Sequence, residues 1–134
     1  MDGVKARGEV FHCNVCGNVV VVASSGGGVL VCCDQPMIHE IEKTTDSGAD
    51  KHLPVVVLKN EKTEIDIGES PHPMEVGHYI EWVEIWTNRQ IIRHYFSPTD
   101  EPKTTFCLND EKMILVRAYC NIHGLWCKNL ENQV

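Results

Sequence analysis

Apolar residues in this chain come in short runs separated by turn residues. The runs at 54–59, 63–67, 80–87, 90–96 and 112–119 each read as a β-strand. Asn60-Glu61, Asn88-Arg89 and Asn109-Asp110 punctuate them as turns. No stretch sustains a period of 3.6, so no helix is expected. Strands of this length and spacing predict an antiparallel sandwich or barrel over residues 51–134. Upstream, Val19-Val20-Val21-Val22 reads as a β-branched strand, Ser24-Ser25-Gly26-Gly27-Gly28 as a turn and Val29-Leu30-Val31 as a returning strand. The expectation there is a hairpin with a cysteine pair at each end. The glycine run lacks a following helix pattern and any Gly-Lys-Ser/Thr, so it is not a phosphate loop.

Residues 42–50 are polar, lack periodicity and read as a linker. The 134 residues therefore divide into a domain at 1–41, a linker at 42–50 and a domain at 51–134. A domain as short as the first cannot fold on an apolar core alone and needs a metal or disulfides. The 43% hydrophobic content is ordinary for a globular fold. No apolar run approaches the roughly 20 residues that span a bilayer. Residues 1–8 show no apolar segment behind their charges, so no secretion signal and a cytoplasmic location are expected. Seven cysteines in that setting suggest reduced, metal-binding thiols rather than a disulfide framework. The net charge of −7 argues against a nucleic-acid partner and gives no general attraction for anions. Any anion must be steered by a local positive patch.

Two groups of metal-ligating residues follow. Cys13-x-x-Cys16 sets two thiolates on one tight turn, and Cys32-Cys33 adds two more. Four thiolates suit a tetrahedral ion, and their spacing leaves iron and zinc both open. The adjacent pair is unusual, because neighbouring side chains diverge unless the backbone is distorted. The second group centres on Cys120-x-x-His123, whose loop amides can hydrogen-bond the thiolate. His72 is held between Pro71 and Pro73, which restrict the backbone around it. His78 and His52 stand at strand entrances. Four neutral imidazoles and one thiolate leave a position open on an octahedral ion. With a ferrous ion such a site carries net positive charge and can attract a small anion even on an acidic protein. Trp82, Trp86 and Trp126 are expected in the sandwich core, Cys107 and Cys127 as spare thiols, and His12, His39 and His94 as surface or structural residues.

The stretches Lys51-His52-Leu53-Pro54-Val55, Pro71-His72-Pro73-Met74, His78-Tyr79-Ile80-Glu81-Trp82 and Cys120-Asn121-Ile122-His123-Gly124, with the upstream cysteines, resemble the desulfoferrodoxin family. The resemblance covers nearly the whole chain. It implies an all-β protein, with a small desulforedoxin-like domain ahead of an immunoglobulin-like antiparallel β-sandwich. It implies two non-haem irons per chain, one held by Cys13, Cys16, Cys32 and Cys33. The other would have His52, His72, His78 and His123 equatorial and Cys120 axial. It implies a superoxide reductase that converts superoxide to hydrogen peroxide with an external reductant such as rubredoxin, in a homodimer. Lys51 would lie beside the open position, attract superoxide and help protonation. The family usually has Glu-Lys-His, its glutamate closing onto the ferric ion, where this chain has Asp50-Lys51-His52, one methylene shorter. Two other functions compete: a non-catalytic electron carrier using the sulfur site, and a zinc-dependent structural module. The presence of all five donors and Lys51 favours the reductase.

Overall fold

The computed structural model describes residues 3–45, 51–59, 62–69, 71–108 and 111–130. They form β-strands and no helix, so none is long and apolar enough to cross a membrane. The chain divides into two compact units, residues 1–41 and 42–134.

In the first unit, β1 (Val10–His12) is flanked by β2 (Val19–Val21) and β5 (Ile38–Glu40), and β3 (Val31–Cys32) pairs with β4 (Gln35–Pro36). The expected hairpin between 19–22 and 29–31 does not form. β2 pairs with β1 instead, with His12 opposite Val19. The local reason lies in the cysteine loop. Gly17 N donates to Cys13 O (3.0 Å) and Cys13 N to Asn18 O (2.9 Å), so Cys13-x-x-Cys16 is itself the hairpin turn. Gly17 has φ +85°, which suits glycine. The buried core of this unit includes Phe11, Cys13 and Met37, with Val4, Val22, Leu30 and Cys32 packed on it.

The second unit is a sandwich of two antiparallel sheets. One has the order β10-β7-β6, from β6 (Pro54–Lys59), β7 (Lys62–Ile67) and β10 (Lys103–Phe106). The other has the order β12-β11-β8-β9, from β8 (Ile80–Thr87), β9 (Ile91–Tyr95), β11 (Met113–Cys120) and β12 (Gly124–Asn129). Their facing sides share one core that includes Ile65, Ile67, Val83, Ile85, Phe106, Val116 and Ala118. The two strands that the apolar pattern misses, β10 and β12, are polar or lie behind a loop of metal-binding type. Their neighbours in the sheet, not their own periodicity, hold them extended.

Glu42 and Lys43, expected in a linker, belong to the second unit. Lys43 N donates to Leu125 O (2.9 Å) and Cys127 N to Lys43 O (2.8 Å), forming a parallel bridge along β12. Polar composition marks a linker only when the backbone has no partner, and here a sheet edge supplies one. Residues 46–50, including Asp50, lie outside the described residues.

Trp82 and Trp126 are buried as expected, whereas Trp86 is only partly so. Trp82 and Trp86 alternate with Val83 and Ile85 and so face away from the shared core. Trp82 stacks on Tyr119 (5.5 Å, 10°) and under Arg93 (5.3 Å), and Trp86 lies under Arg117 (4.8 Å). Between them Glu84 and Arg117 are 0% and 1% exposed. Glu84 accepts from Arg117 Nε (2.6 Å), Trp86 Nε1 (2.8 Å) and Arg93 Nε (2.9 Å), while Arg117 also bonds Glu42 (3.1 Å). This network compensates two buried charges that neither partner could bear alone. Glu84→Ala should therefore cost about 3–5 kcal/mol, the range for breaking a buried pair, and Glu84→Gln clearly less. The measurement is urea unfolding followed by tryptophan fluorescence, which reports this unit because all three tryptophans lie in it.

Candidate metal centres

The strands bring the nine predicted donors together in two clusters. Cys13, Cys16, Cys32 and Cys33 form one, and His52, His72, His78, Cys120 and His123 the other. In each, one ligand atom per residue lies within 4.8 Å of all the rest.

At the sulfur cluster the two pairs sit on two hairpin turns. The β1–β2 turn carries Cys13 and Cys16. The β3–β4 turn has Cys32 opposite Gln35, with Cys33 (φ 52°) and Asp34 (φ 60°) as its two central residues. Positive φ at both positions is the two-residue hairpin that matches strand twist. It also answers the geometric difficulty of an adjacent pair, since the left-handed Cys33 brings its sulfur to 4.0 Å from that of Cys32. Cys13 Sγ accepts from Val15 N (3.4 Å) and Cys16 N (3.5 Å), and Cys16 Sγ from Asn18 N (3.5 Å). The Cys16 and Val15 amides pull the Cys13 thiol down to about 6. The thiols of Cys16 and Cys13 push Cys33 up to about 12. Four thiols this close cannot all ionise unless a cation sits among them, which is the chemistry of a metal site.

At the nitrogen cluster the imidazoles close a ring in the order His52, His72, His78, His123. Successive ring centroids are 4.8, 4.8, 4.9 and 4.8 Å apart, with interplanar angles from 65° to 83°. His72 Nδ1 lies 2.7 Å from Pro73 O, and a carbonyl can only accept, so Nδ1 carries the proton and Nε2 keeps its lone pair. The Nε2 atoms of His72 and His78 are buried without a hydrogen-bond partner among the described residues. His52 Nε2 and His123 Nδ1 are 3.1 Å apart, which identifies the inward nitrogens of those two rings. Buried ring nitrogens without a hydrogen-bond partner beside a buried thiol are the donor set of a metal-holding site.

The sheet places Cys120. Val116, Ala118 and Cys120 alternate onto the core side of β11, and a register shift opposite Ile80 and Trp82 ends the strand there. Cys120 is fully buried, and burial raises its thiol. The amide of His123 opposes this by donating to Sγ (3.4 Å). Gly124 (φ +83°) then turns the loop into β12.

Two residues that sequence reasoning did not credit hold these ligands. Asn121 clamps the loop to the His78 segment: Tyr79 N donates to its Oδ1 (2.9 Å), and its Nδ2 donates to Gly77 O (3.1 Å). Trp126, expected in the core, stacks on His52 at 4.4 Å and 10°. Its place two residues after Gly124 was visible, but no periodicity links it to His52. Lys51 is partly buried beside His52. Cys127 is buried opposite Arg117, and Cys107 is exposed. His12 pairs with Glu40 (2.7 Å), His39 stacks on Phe11 (4.9 Å) and His94 meets Phe96 edge-on (4.8 Å).

A two-unit all-β chain with a four-thiol cluster and a four-imidazole, one-thiol cluster defines a metalloprotein with two separate mononuclear centres. The chain belongs to the desulfoferrodoxin family. The family profile "Desulfoferrodoxin" matches residues 44–129, and "Desulfoferrodoxin, N-terminal domain" matches residues 5–39. The desulfoferrodoxin homolog of Archaeoglobus fulgidus is 47% identical over 118 residues, 88% of this chain and 94% of the relative. The superoxide reductase of Thermococcus kodakarensis is 30% identical over 116 residues, 73% of this chain and 97% of the relative. The crystal structure of the superoxide reductase from Treponema pallidum aligns with 90% of this chain and 97% of its own, with TM-score 0.74. At 24% identity that likeness supports the fold alone. The two donor sets fit two non-haem irons.

Acid should unload the nitrogen cluster. Burial lowers His72 from 6.5 to about 4, so the unfolded chain takes up this proton before the folded one. The contribution of neutral His72 to stability is complete above about pH 6.5 and is lost as pH falls toward about 4. Iron retained after gel filtration should hold as pH falls from 6.5 and be lost only near or below about 4, where folded His72 takes up its proton, because protonated imidazole is no ligand. Release of this iron already near pH 6.5 would contradict this account of His72. At the other cluster, Cys13→Ser should abolish the iron–sulfur absorption while the second iron remains bound, as metal analysis would show. Joint loss of both irons would mean that the centres are not independent.

Proposed function

We propose that this protein is a superoxide reductase that adds one electron and two protons to superoxide and releases hydrogen peroxide. The observation that carries the reading is the closed ring of four imidazoles with Cys120 in reach, in a chain of the desulfoferrodoxin family. The name of the Thermococcus kodakarensis relative supports it.

His52, His72 and His78 through Nε2, His123 through Nδ1 and Cys120 through its sulfur would hold the catalytic iron. Cys13, Cys16, Cys32 and Cys33 would hold the other. When bound, the ferrous ion supplies the transferred electron and a local positive charge. The chain's own residues do the rest. The tautomer set by Pro73 keeps His72 ready to donate a lone pair. The His123 amide lowers the basicity of the Cys120 sulfur. Cys120 is buried whereas His123 is exposed, so a small anion approaches from the imidazole edge. Lys51, next to His52, attracts that anion against the overall charge of −7 and brings a proton donor near it. Asp50 is the carboxylate that would close onto the oxidised site, with a shorter reach than glutamate.

A small electron-donor protein such as rubredoxin completes the cycle. We assign the protein to the cytoplasm, supported by seven free cysteines. We also infer a homodimer, supported by the exposed apolar surface of Val15, Val20, Val29 and Val31 on the first unit.

Protein purified without oxygen tests the reading. It should carry two irons per chain and form peroxide from superoxide, with consumption of reductant and no oxygen evolved. Zinc in place of iron, or iron without peroxide formation, would sink it. Cys120→Ser should abolish peroxide formation. Lys51→Ile should slow the reaction with superoxide about tenfold or more, within the range for electrostatic steering. Added salt should slow the wild type more than this variant. Equal rates at low ionic strength would remove Lys51 from the mechanism.

A further inference from the structure

Lys43 lies by sequence in a polar connecting segment, yet its main chain is pinned on either side of Trp126. Its amide donates to Leu125 O (2.9 Å) and its carbonyl accepts from Cys127 N (2.8 Å). This two-point attachment delivers the side chain to the Cys120–His123 loop, where Nζ donates to the carbonyl oxygen of His123. The ammonium is also 5.1 Å from the centroid of Trp126, the ring stacked on His52. The neighbouring carboxylate of Glu42 is turned to Arg117 instead (3.1 Å). One positive charge is thus bonded to the backbone of one ligand residue and placed beside the aromatic support of another.

We propose that Lys43 is a positioning residue that sets the reduction potential of the nitrogen-rich centre, holding the Cys120–His123 loop by its carbonyl and stabilising the reduced state by its fixed charge. The inference rests on the reading of that centre as an iron that cycles between ferrous and ferric. Reduction lowers the charge of the centre by one, and a nearby cation favours the less positive state. Lys43 therefore raises the potential and eases re-reduction by the donor. Lys51 has a different task. It is proposed above to meet the substrate, whereas the head group of Lys43 is engaged with the ligand loop.

The test compares the iron-loaded wild type with K43M and K43R. K43M keeps the length of the side chain and removes its charge and donors, and K43R keeps both. Potentiometric titration of the thiolate-to-iron absorption should show K43M shifted toward the ferric state by roughly three- to tenfold in the ferrous/ferric ratio, the size of a partly screened unit charge. For a one-electron couple that is roughly 30–60 mV lower. K43R should recover most of the shift. The melting temperature of each metal-free protein is the second readout. A purely structural role would lower it in K43M and leave the potential of the loaded protein unchanged. An unchanged potential in K43M, or a shift equally large in K43R, overturns the role of Lys43. A wild type with no reversible iron couple overturns the functional reading and this inference with it, whereas a wild type that cycles isolates the result to Lys43.

Discussion

The constraint on which this structure depends is the mutual repulsion of crowded electron-pair donors. Four sulfur atoms in one unit, and four nitrogens with a sulfur in the other, lie within 4.8 Å of their cluster-mates. Such groups converge stably only around a cation. The consequence is sharpest in the first unit, whose buried core centres on Phe11, Cys13 and Met37. A core that small cannot offset the entropy of ordering about 40 residues, so the ion is part of the fold there. Its strands are arranged around the four sulfurs that would hold it. Both hairpin turns are cysteine turns, and the amides of the β1–β2 turn point at sulfur.

The second unit meets the same constraint differently. Its sandwich has a shared apolar core and, on the other side of the four-stranded sheet, a compensated network of Glu84, Arg117 and Arg93. That scaffold stands on its own interactions. It presents the donors at one end by ordinary strand geometry: Cys120 is the last inward residue of β11, and His78 leads into β8. Prolines around His72, the Asn121 clamp and the Trp126 stack orient what the strands deliver. An ion would then meet a site in which burial keeps His72 neutral and Pro73 O fixes its proton on Nδ1.

Charge is distributed to the same end. The chain is acidic overall, so its cations matter by position. Lys51 adjoins a ligand through the chain, and Lys43 through a carbonyl hydrogen bond. Arg93 and Arg117 are withdrawn into the network behind the sheet.

Much of this was legible in the sequence. The two donor sets and the strands at 54–59 and 80–87 could be read directly, because ligand identity is a property of the side chain and alternation follows from strand geometry. The β3–β4 cysteine turn, the pairing of β2 with β1, and the partners of Glu42 and Lys43 could not be read. Each is decided by which backbone groups find one another across the fold, and Val19 to Val21 would pair equally well with any free edge. The tryptophans show the limit most clearly. Composition says that they are buried, but only the register of β8 against β11 decides that two of them shield an ion network. In the same way, only tertiary packing decides that the third supports His52. Residue chemistry determined what the centres are made of, and long-range packing decided how they are held.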